Sequence, residues 1–247
     1  MNLTSGEKNL NSPKNALITG AAKRVGRAIS LALAADGWNV ALHHNSTDIR
    51  EVSQQCQKLG AKVCTIKADL NNLSDLKNVI PAANSQLGEI SLLINNASIF
   101  EKCSFEDTDE DIFDRHMNIN FKAPFFLCQD FAKQTQNGQI INISDTRTTD
   151  NKTTYFAYLN SKKSLSNLTK MLAVELSPSI RTNEIALGAC DMEQSYDRKY
   201  LEKRVSQTPL GVAIDLNDIT NAILYLSKQT YLTGQTLYID SGENLIG

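Results

Sequence analysis

The stretch "NALITGAAKRVGRAI", residues 15–29, sets an apolar run against a glycine-bearing turn and then a helical pattern. Residues 15–19 are a short run with Ala16, Leu17 and Ile18 at its centre, which predicts a strand of a parallel sheet covered on both faces rather than a half-exposed antiparallel one. Thr19 and Gly20 end that strand, and Gly26 falls inside the start of the following helix. Such a turn leaves backbone N–H groups and the positive end of a helix facing a pyrophosphate. The full G-x-G-x-x-G spacing is absent, and Arg24 stands where phosphate loops more often carry glycine, so an ordinary tight turn stays open as the alternative.

The same kind of run recurs along the chain, as "NVALH" (39–43), "KVCTI" (62–66), "SLLIN" (91–95), "QIINI" (139–143), "TNEIAL" (182–187) and "QTLYI" (235–239). Between the runs, helical periodicity occupies residues near 25–36, 48–59, 74–87, 109–134, 155–176 and 217–227. Alternation of this sort predicts one α/β domain over residues 14–247, a Rossmann-type doubly wound parallel sheet of about seven strands behind a polar tail, residues 1–13. Ligands of this architecture sit at the carboxyl ends of the strands.

Bulk composition narrows the function. The 247 residues carry 25 basic against 27 acidic side chains, which gives no electrostatic footprint for nucleic acid or an anionic membrane and favours a small-molecule partner. Five scattered cysteines without a CxxC pair read as reduced thiols, and no apolar run approaches the roughly 20 residues of a membrane span. A soluble, cytoplasmic protein is expected. No metal site is expected either, because His43 and His44 are neighbours on a strand and point to opposite faces.

The strand ends supply the candidate site. After the second run come His43, His44, Asn45, Ser46 and Thr47, with no acid for a ribose 2′-hydroxyl, so a 2′-phosphate is tolerated and NADPH is the expected cofactor, with Arg24 adding charge. Asp69, with Leu70 beside it, lies where an adenine amino group could be read, or else caps the next helix. Asn95, Asn96, Ala97 and Ser98 emerge at the cofactor edge, and Phe100 offers either a stacking face or core packing. Tyr158 and Lys162, four apart on a helix, share one face, where an ammonium would favour the phenolate and tune a general acid. Asn120 could hold a water that relays protons to the lysine, or could be a polar residue that bends the helix.

Taken together, "TGAAKRVG", "NNAS", the asparagine of "NIN", and "YLNSK" after "INISD" resemble the short-chain dehydrogenase/reductase family over residues 14–242. Most members carry a serine thirteen positions before the tyrosine; here that place is Asp145, with Ser144 one step earlier. The subgroup this resembles is the pteridine reductases and the related bacterial dihydromonapterin and dihydrofolate reductases, which share an aspartate there, an arginine as at Arg24, a histidine as at His43 and an aromatic as at Phe100.

The resemblance implies hydride transfer from NADPH to a pterin C=N bond. Tyr158 would donate the proton with help from Asp145, Lys162 would bind the nicotinamide ribose, and Asn120 would complete the catalytic set. Phe100 would stack on the pterin, with Ser98 and Arg24 contacting substrate and phosphates. Cofactor contacts would come from Gly20, Arg24, Val25, Gly26, His43, Ser46, Thr47, Asp69, Leu70, Asn96, Ala97, Ser144, Lys162 and Gly188. A carboxylate also suits a guanidine-like pterin chemically, as a partner for its N–H groups or as a proton shuttle.

Departures are Ser46, where the subgroup often has arginine, and Leu187-Gly188 in place of Pro-Gly before a polar loop to residue 211 suited to a substrate lid. Two other readings are a 3-oxoacyl-thioester or other ketone reductase, for which serine at position 145 would be expected, and a non-catalytic NADP(H) sensor. The family resemblance also implies a homotetramer built through the helices at 109–134 and 155–176.

Overall fold

The apolar runs resolve, in a computed structural model that describes residues 14–151, 154–190 and 198–246, into one seven-stranded, all-parallel sheet. Its strands are β1 (Asn15–Ile18), β2 (Asn39–His44), β3 (Val63–Lys67), β4 (Leu92–Asn95), β5 (Gly138–Asp145), β6 (Ile180–Leu187) and β7 (Thr236–Ile239), in the spatial order β3-β2-β1-β4-β5-β6-β7. The order reverses between β1 and β4, and crossover connections on either side leave a crevice at their carboxyl ends.

Strands β1 to β6 feed two cores, whereas the edge strand β7 packs Leu237 and Ile239 against one of them. In β1, Ala16 and Ile18 face a layer with α1 (Arg24–Ala35), α2 (Arg50–Lys58) and α8 (Leu216–Lys228), whereas Leu17 faces α3 (Leu73–Leu87) and α5 (Ala123–Gln134). Alternate side chains point to opposite faces, so β1 and β4, buried at every position, read as short aliphatic runs, while β6 buries the polar Thr182, Asn183 and Glu184 as well.

Several elements depart from the sequence expectation, β5 among them, which runs on past residue 143 to Asp145. The helix expected over 109–134 is α4 (Glu110–Met117), a π turn (Asn118–Lys122) and α5, because the Ala123 N–H reaches back five residues to the Asn118 carbonyl. The polar loop expected after β6 contains a helix, α7 (Arg198–Val205), which buries none of its residues and so shows no apolar stripe; residues 191–197 of that loop lie outside the described residues. Strand β6 starts at Ile180, ahead of the expected Thr182. No described helix is long and apolar enough to cross a membrane.

Candidate active site

The turn after β1 owes its shape to two glycines and one strained arginine. Gly20 has φ +66° and donates its N–H to His43 Nδ1 at 3.1 Å, and a Cβ on it would lie 3.0 Å from the Ala97 backbone. A Cβ on Gly26 would fall 2.1 Å from the Gly20 carbonyl oxygen, so only glycine lets α1 begin this close to the strand end. Arg24 adopts φ +49°, the left-handed region that phosphate loops commonly fill with glycine, and its side chain is exposed at the rim.

Strand ends β1 and β4 are tied together beneath this turn. Thr19 Oγ1 accepts the N–H groups of Asn96 and Ala97, each at 2.9 Å, while Asn96 Nδ2 donates to the Thr19 carbonyl at 2.8 Å. The two adjacent histidines diverge as their alternation requires. His43 is buried and, with Nδ1 accepting, Nε2 donates to the Ala68 carbonyl at 3.1 Å; burial pushes its pKa down to about 4. His43 therefore shapes the turn as a neutral ring, and His44 turns its Nδ1 to the Thr47 carbonyl at 3.0 Å.

Asp69 does not cap the next helix. Asn72 does, accepting from the N–H groups of Ser74 and Asp75, and Asp69 instead closes a small turn by accepting the Asn71 N–H at 3.0 Å. With Arg24 and Ser46 exposed at the rim and no acid at the end of β2, the donor set fits the 2′-phosphate of an NADP(H) molecule. One cleft is lined by Gly20, Val25, Gly26, Thr47, Asp69, Leu70, Ala97, Ser98 and Gly188 along with the other expected site residues except Asn120 and Asn95, the latter buried and donating to Asn142 Oδ1 at 2.8 Å instead of emerging at the cofactor edge.

Asn120 lies deeper. The π turn aims it inward, where Oδ1 accepts the Ile99 N–H at 2.9 Å and Nδ2 donates to the Ile99 carbonyl and Ser161 Oγ, each at 3.0 Å. Its side chain thus pins the segment after β4 against α6 (Phe156–Glu175), and both amide groups are engaged in doing so. Ser144 likewise turns away from the cleft, its hydroxyl bonded to the buried Glu184 carboxylate of β6.

At the other end of the cleft, β5 terminates at Asp145 and α6 returns Tyr158 and Lys162 to it, one turn apart. Tyr158 donates its hydroxyl to Asp145 Oδ2 at 3.0 Å. Lys162, fully buried, donates to the Ile143 carbonyl at 2.9 Å with its ammonium 5.9 Å from the Tyr158 ring centre; desolvation pushes its pKa down to about 8 against the opposing pull of Asp145 and Glu184.

Two arginines that the sequence reading missed complete the site. Arg147 grips Asp145 in a fork, Nε to Oδ1 at 2.9 Å and Nη2 to Oδ2 at 2.8 Å, and adds its backbone N–H to Oδ1 at 2.9 Å. Its guanidinium carbon lies 5.2 Å from the ring centre of Phe100 and 5.0 Å from that of Tyr155. Arg204 of α7 stands 3.9 Å from Asp145 Oδ1, held by Glu243 at 2.7 and 2.9 Å. Burial alone would raise the Asp145 carboxyl; the hydrogen bonds and charge of Arg147, helped by Arg204, hold it down at about 2. Phe100 stacks on Tyr155 at 4.4 Å and meets Tyr158 edge-on at 4.7 Å, so its ring borders the cleft beside the hydroxyl.

A family model described as enoyl-(acyl carrier protein) reductase matches residues 20–244, and a short-chain dehydrogenase/reductase from Serratia marcescens superposes with a TM-score of 0.89 at 28% identity over 94% of this chain and 98% of that one. The chain belongs to the short-chain dehydrogenase/reductase family. Among other short-chain reductases, the 3-oxoacyl-[acyl-carrier-protein] reductase FabG of Staphylococcus aureus (strain Mu50) is 30% identical over 239 residues, 93% of this chain and 97% of its own. FolM, alternative dihydrofolate reductase 1 from Brucella canis, complexed with NADP, is 33% identical with a TM-score of 0.89, covering 94% of each chain.

Proposed function

We propose that this short-chain reductase uses NADPH to reduce a pterin of the dihydropteridine or dihydrofolate type. The observation that carries the reading is the hydrogen bond of 3.0 Å from the Tyr158 hydroxyl to a carboxylate at position 145, where a serine is expected in ketone-reducing members. The resemblance to an NADP-bound FolM agrees with it.

When bound, NADPH supplies the hydride to the carbon of a C=N bond. Tyr158 gives its phenolic proton to the nitrogen, so C=N becomes CH–NH and the tyrosine is left as a phenolate until solvent returns a proton. Lys162 offsets that transient negative charge, and its retreat from carbonyl Ile143 would also let it meet a ribose hydroxyl. Gly20, Gly26, Arg24, Ser46 and Thr47 bind the phosphates and adenosine end, with Asp69 and Leu70 at the adenine. Val25, His43, Asn96, Ala97, Ser144 and Gly188 shape the walls. Phe100 would leave Tyr155 and stack on the pterin, with Ser98 at its edge.

A second reading, reduction of a 3-oxoacyl thioester, has one observation in its favour: the Asp145 oxygens are already engaged by Arg147 and Tyr158, which leaves them poorly disposed toward pterin N–H groups. A FabG relative at 30% identity fits it equally. Exposed Phe113, Phe125, Met171 and Val174 on α4, α5 and α6 support assembly as a homotetramer through those helices. Five free, buried thiols suit the reducing cytoplasm.

The deciding assay follows NADPH oxidation with dihydrobiopterin, dihydrofolate and an acetoacetyl thioester, alongside Tyr158→Phe. Pterin turnover that Tyr158→Phe abolishes is the expected result. Turnover of the thioester alone overturns the pterin reading, and nucleotide binding with no turnover of any of them indicates a sensor.

A further inference from the structure

We propose that Arg147 is a positioning residue whose guanidinium and the Asp145 carboxylate act as one unit, holding the Tyr158 hydroxyl in place and closing the carboxylate to direct contact with substrate. This rests on Tyr158 being the proton donor of the reaction above, and it assigns a role to a residue that no spacing motif marks.

Counting acceptors leads there. A carboxylate offers about four lone-pair sites. In Asp145 they receive the Arg147 backbone N–H at 2.9 Å, Arg147 Nε at 2.9 Å, Arg147 Nη2 at 2.8 Å and the Tyr158 hydroxyl at 3.0 Å. Three of the four come from a single residue. Because an arginine fork is planar, its two bonds fix the plane of the carboxylate, and with it the direction in which Oδ2 receives the phenol.

Charge leads to the same place. Replacing a neutral serine with aspartate puts a negative group beside a phenol that must itself become negative for an instant, and like charges at that range oppose each other. The site contains the compensation: the Arg147 guanidinium and the Lys162 ammonium each lie 5.9 Å from the Tyr158 ring centre. The buried Arg147 charge is compensated by the Asp145 fork, and its guanidinium carbon also lies beside the stacked pair Phe100 and Tyr155, 5.2 and 5.0 Å from their ring centres. The groups facing the pair are Tyr158 and Lys162 from α6, and from α7 Arg204, itself paired with Glu243, and Tyr200 beyond Arg147. Arg204, at 3.9 Å and committed to Glu243, stands too far back to replace the fork.

The test uses the full chain saturated with NADP+ or NADPH, as Arg147→Met, Arg147→Lys and the double variant Asp145→Ser/Arg147→Met. Two signals are read: the carboxyl resonance of isotope-labelled aspartate as pH is varied, and the pH profile of kcat and KM on whichever of the three substrates the wild type turns over. In the wild type the Asp145 carboxyl stays ionised throughout the working range. In Arg147→Met it titrates at higher pH, and kcat falls about tenfold per unit below the new midpoint with KM little changed. Arg147→Lys, keeping the charge without the fork, recovers part of the loss, and the double variant shows no such limb because it has no carboxyl.

A purely packing role for Arg147 would lower kcat by the same factor at every pH. Superimposable profiles for wild type and Arg147→Met, or a variant carboxyl that remains ionised, overturn the proposal. Should Arg147→Met fail to fold, the resonance in Arg147→Lys decides alone: an unmoved signal counts against it, a raised one for it. Failure of the parent reading shows separately, as activity retained by Tyr158→Phe.

Discussion

Replacing Arg24 with glycine acts on the fold and on the cofactor with opposite signs. At φ +49° a residue with a Cβ costs about 1–2 kcal/mol, and glycine removes most of that while bringing back about 0.5–1 kcal/mol of chain entropy in the unfolded state. Arg24→Gly should therefore unfold at slightly higher urea, a gain of about 0.5–1 kcal/mol. The exposed guanidinium at the cleft rim, proposed above to bind the phosphates, is meanwhile lost. A hydrogen bond between charged groups contributes about 1.5–3 kcal/mol, which translates into NADPH binding weakened roughly ten- to hundredfold. NADH lacks that phosphate, and its dissociation constant should move by less than about threefold. Urea unfolding and the fluorescence of the two reduced nucleotides measure each arm. A variant less stable than wild type, or one that loses NADPH and NADH affinity by the same factor, refutes the reasoning.

Two further outcomes follow from the same end of the cleft. Gly26→Ala places a methyl 2.1 Å from the Gly20 carbonyl and 2.7 Å from Asn96 Nδ2, so the turn must open; a loss of about 1–3 kcal/mol in urea unfolding is expected, with NADPH binding weakened at least about tenfold. For His43, the folded state holds the ring neutral, its pKa down from 6.5 to about 4, so the unfolded chain takes up the proton first as pH falls. The stability it contributes is complete above pH 6.5, declines between 6.5 and 4, and totals about 3 kcal/mol at most, a slope that His43→Gln should flatten in urea unfolding at stepped pH.

What the sequence disclosed tracks what is local. Strands β1 and β4, buried at every position, appear as short aliphatic runs, and a helix pairing Tyr158 with Lys162 follows from a spacing of one turn. The residues that complete the site obey no such period. Arg147 lies just two positions beyond Asp145, and a sequence cannot show that the chain folds into a 3-10 turn there and returns its guanidinium to the carboxylate. Arg204 meets Asp145 from a helix without an apolar stripe and Glu243 from the far side of β7, contacts fixed only by the tertiary arrangement. Asn120 was legible as an inward amide, yet its partners at Ile99 and Ser161 depend on the extra residue of the π turn.

The link between Arg204 and Glu243 extends beyond the pair itself. The turn that contains Glu243 is fastened by Asp240, whose carboxylate takes the N–H groups of Gly242 and Asn244 and the hydroxyl of Thr146, immediately after Asp145. A change at Asp240 would therefore reach Asp145 by two routes, through Thr146 along the chain and through Glu243 and Arg204 across space.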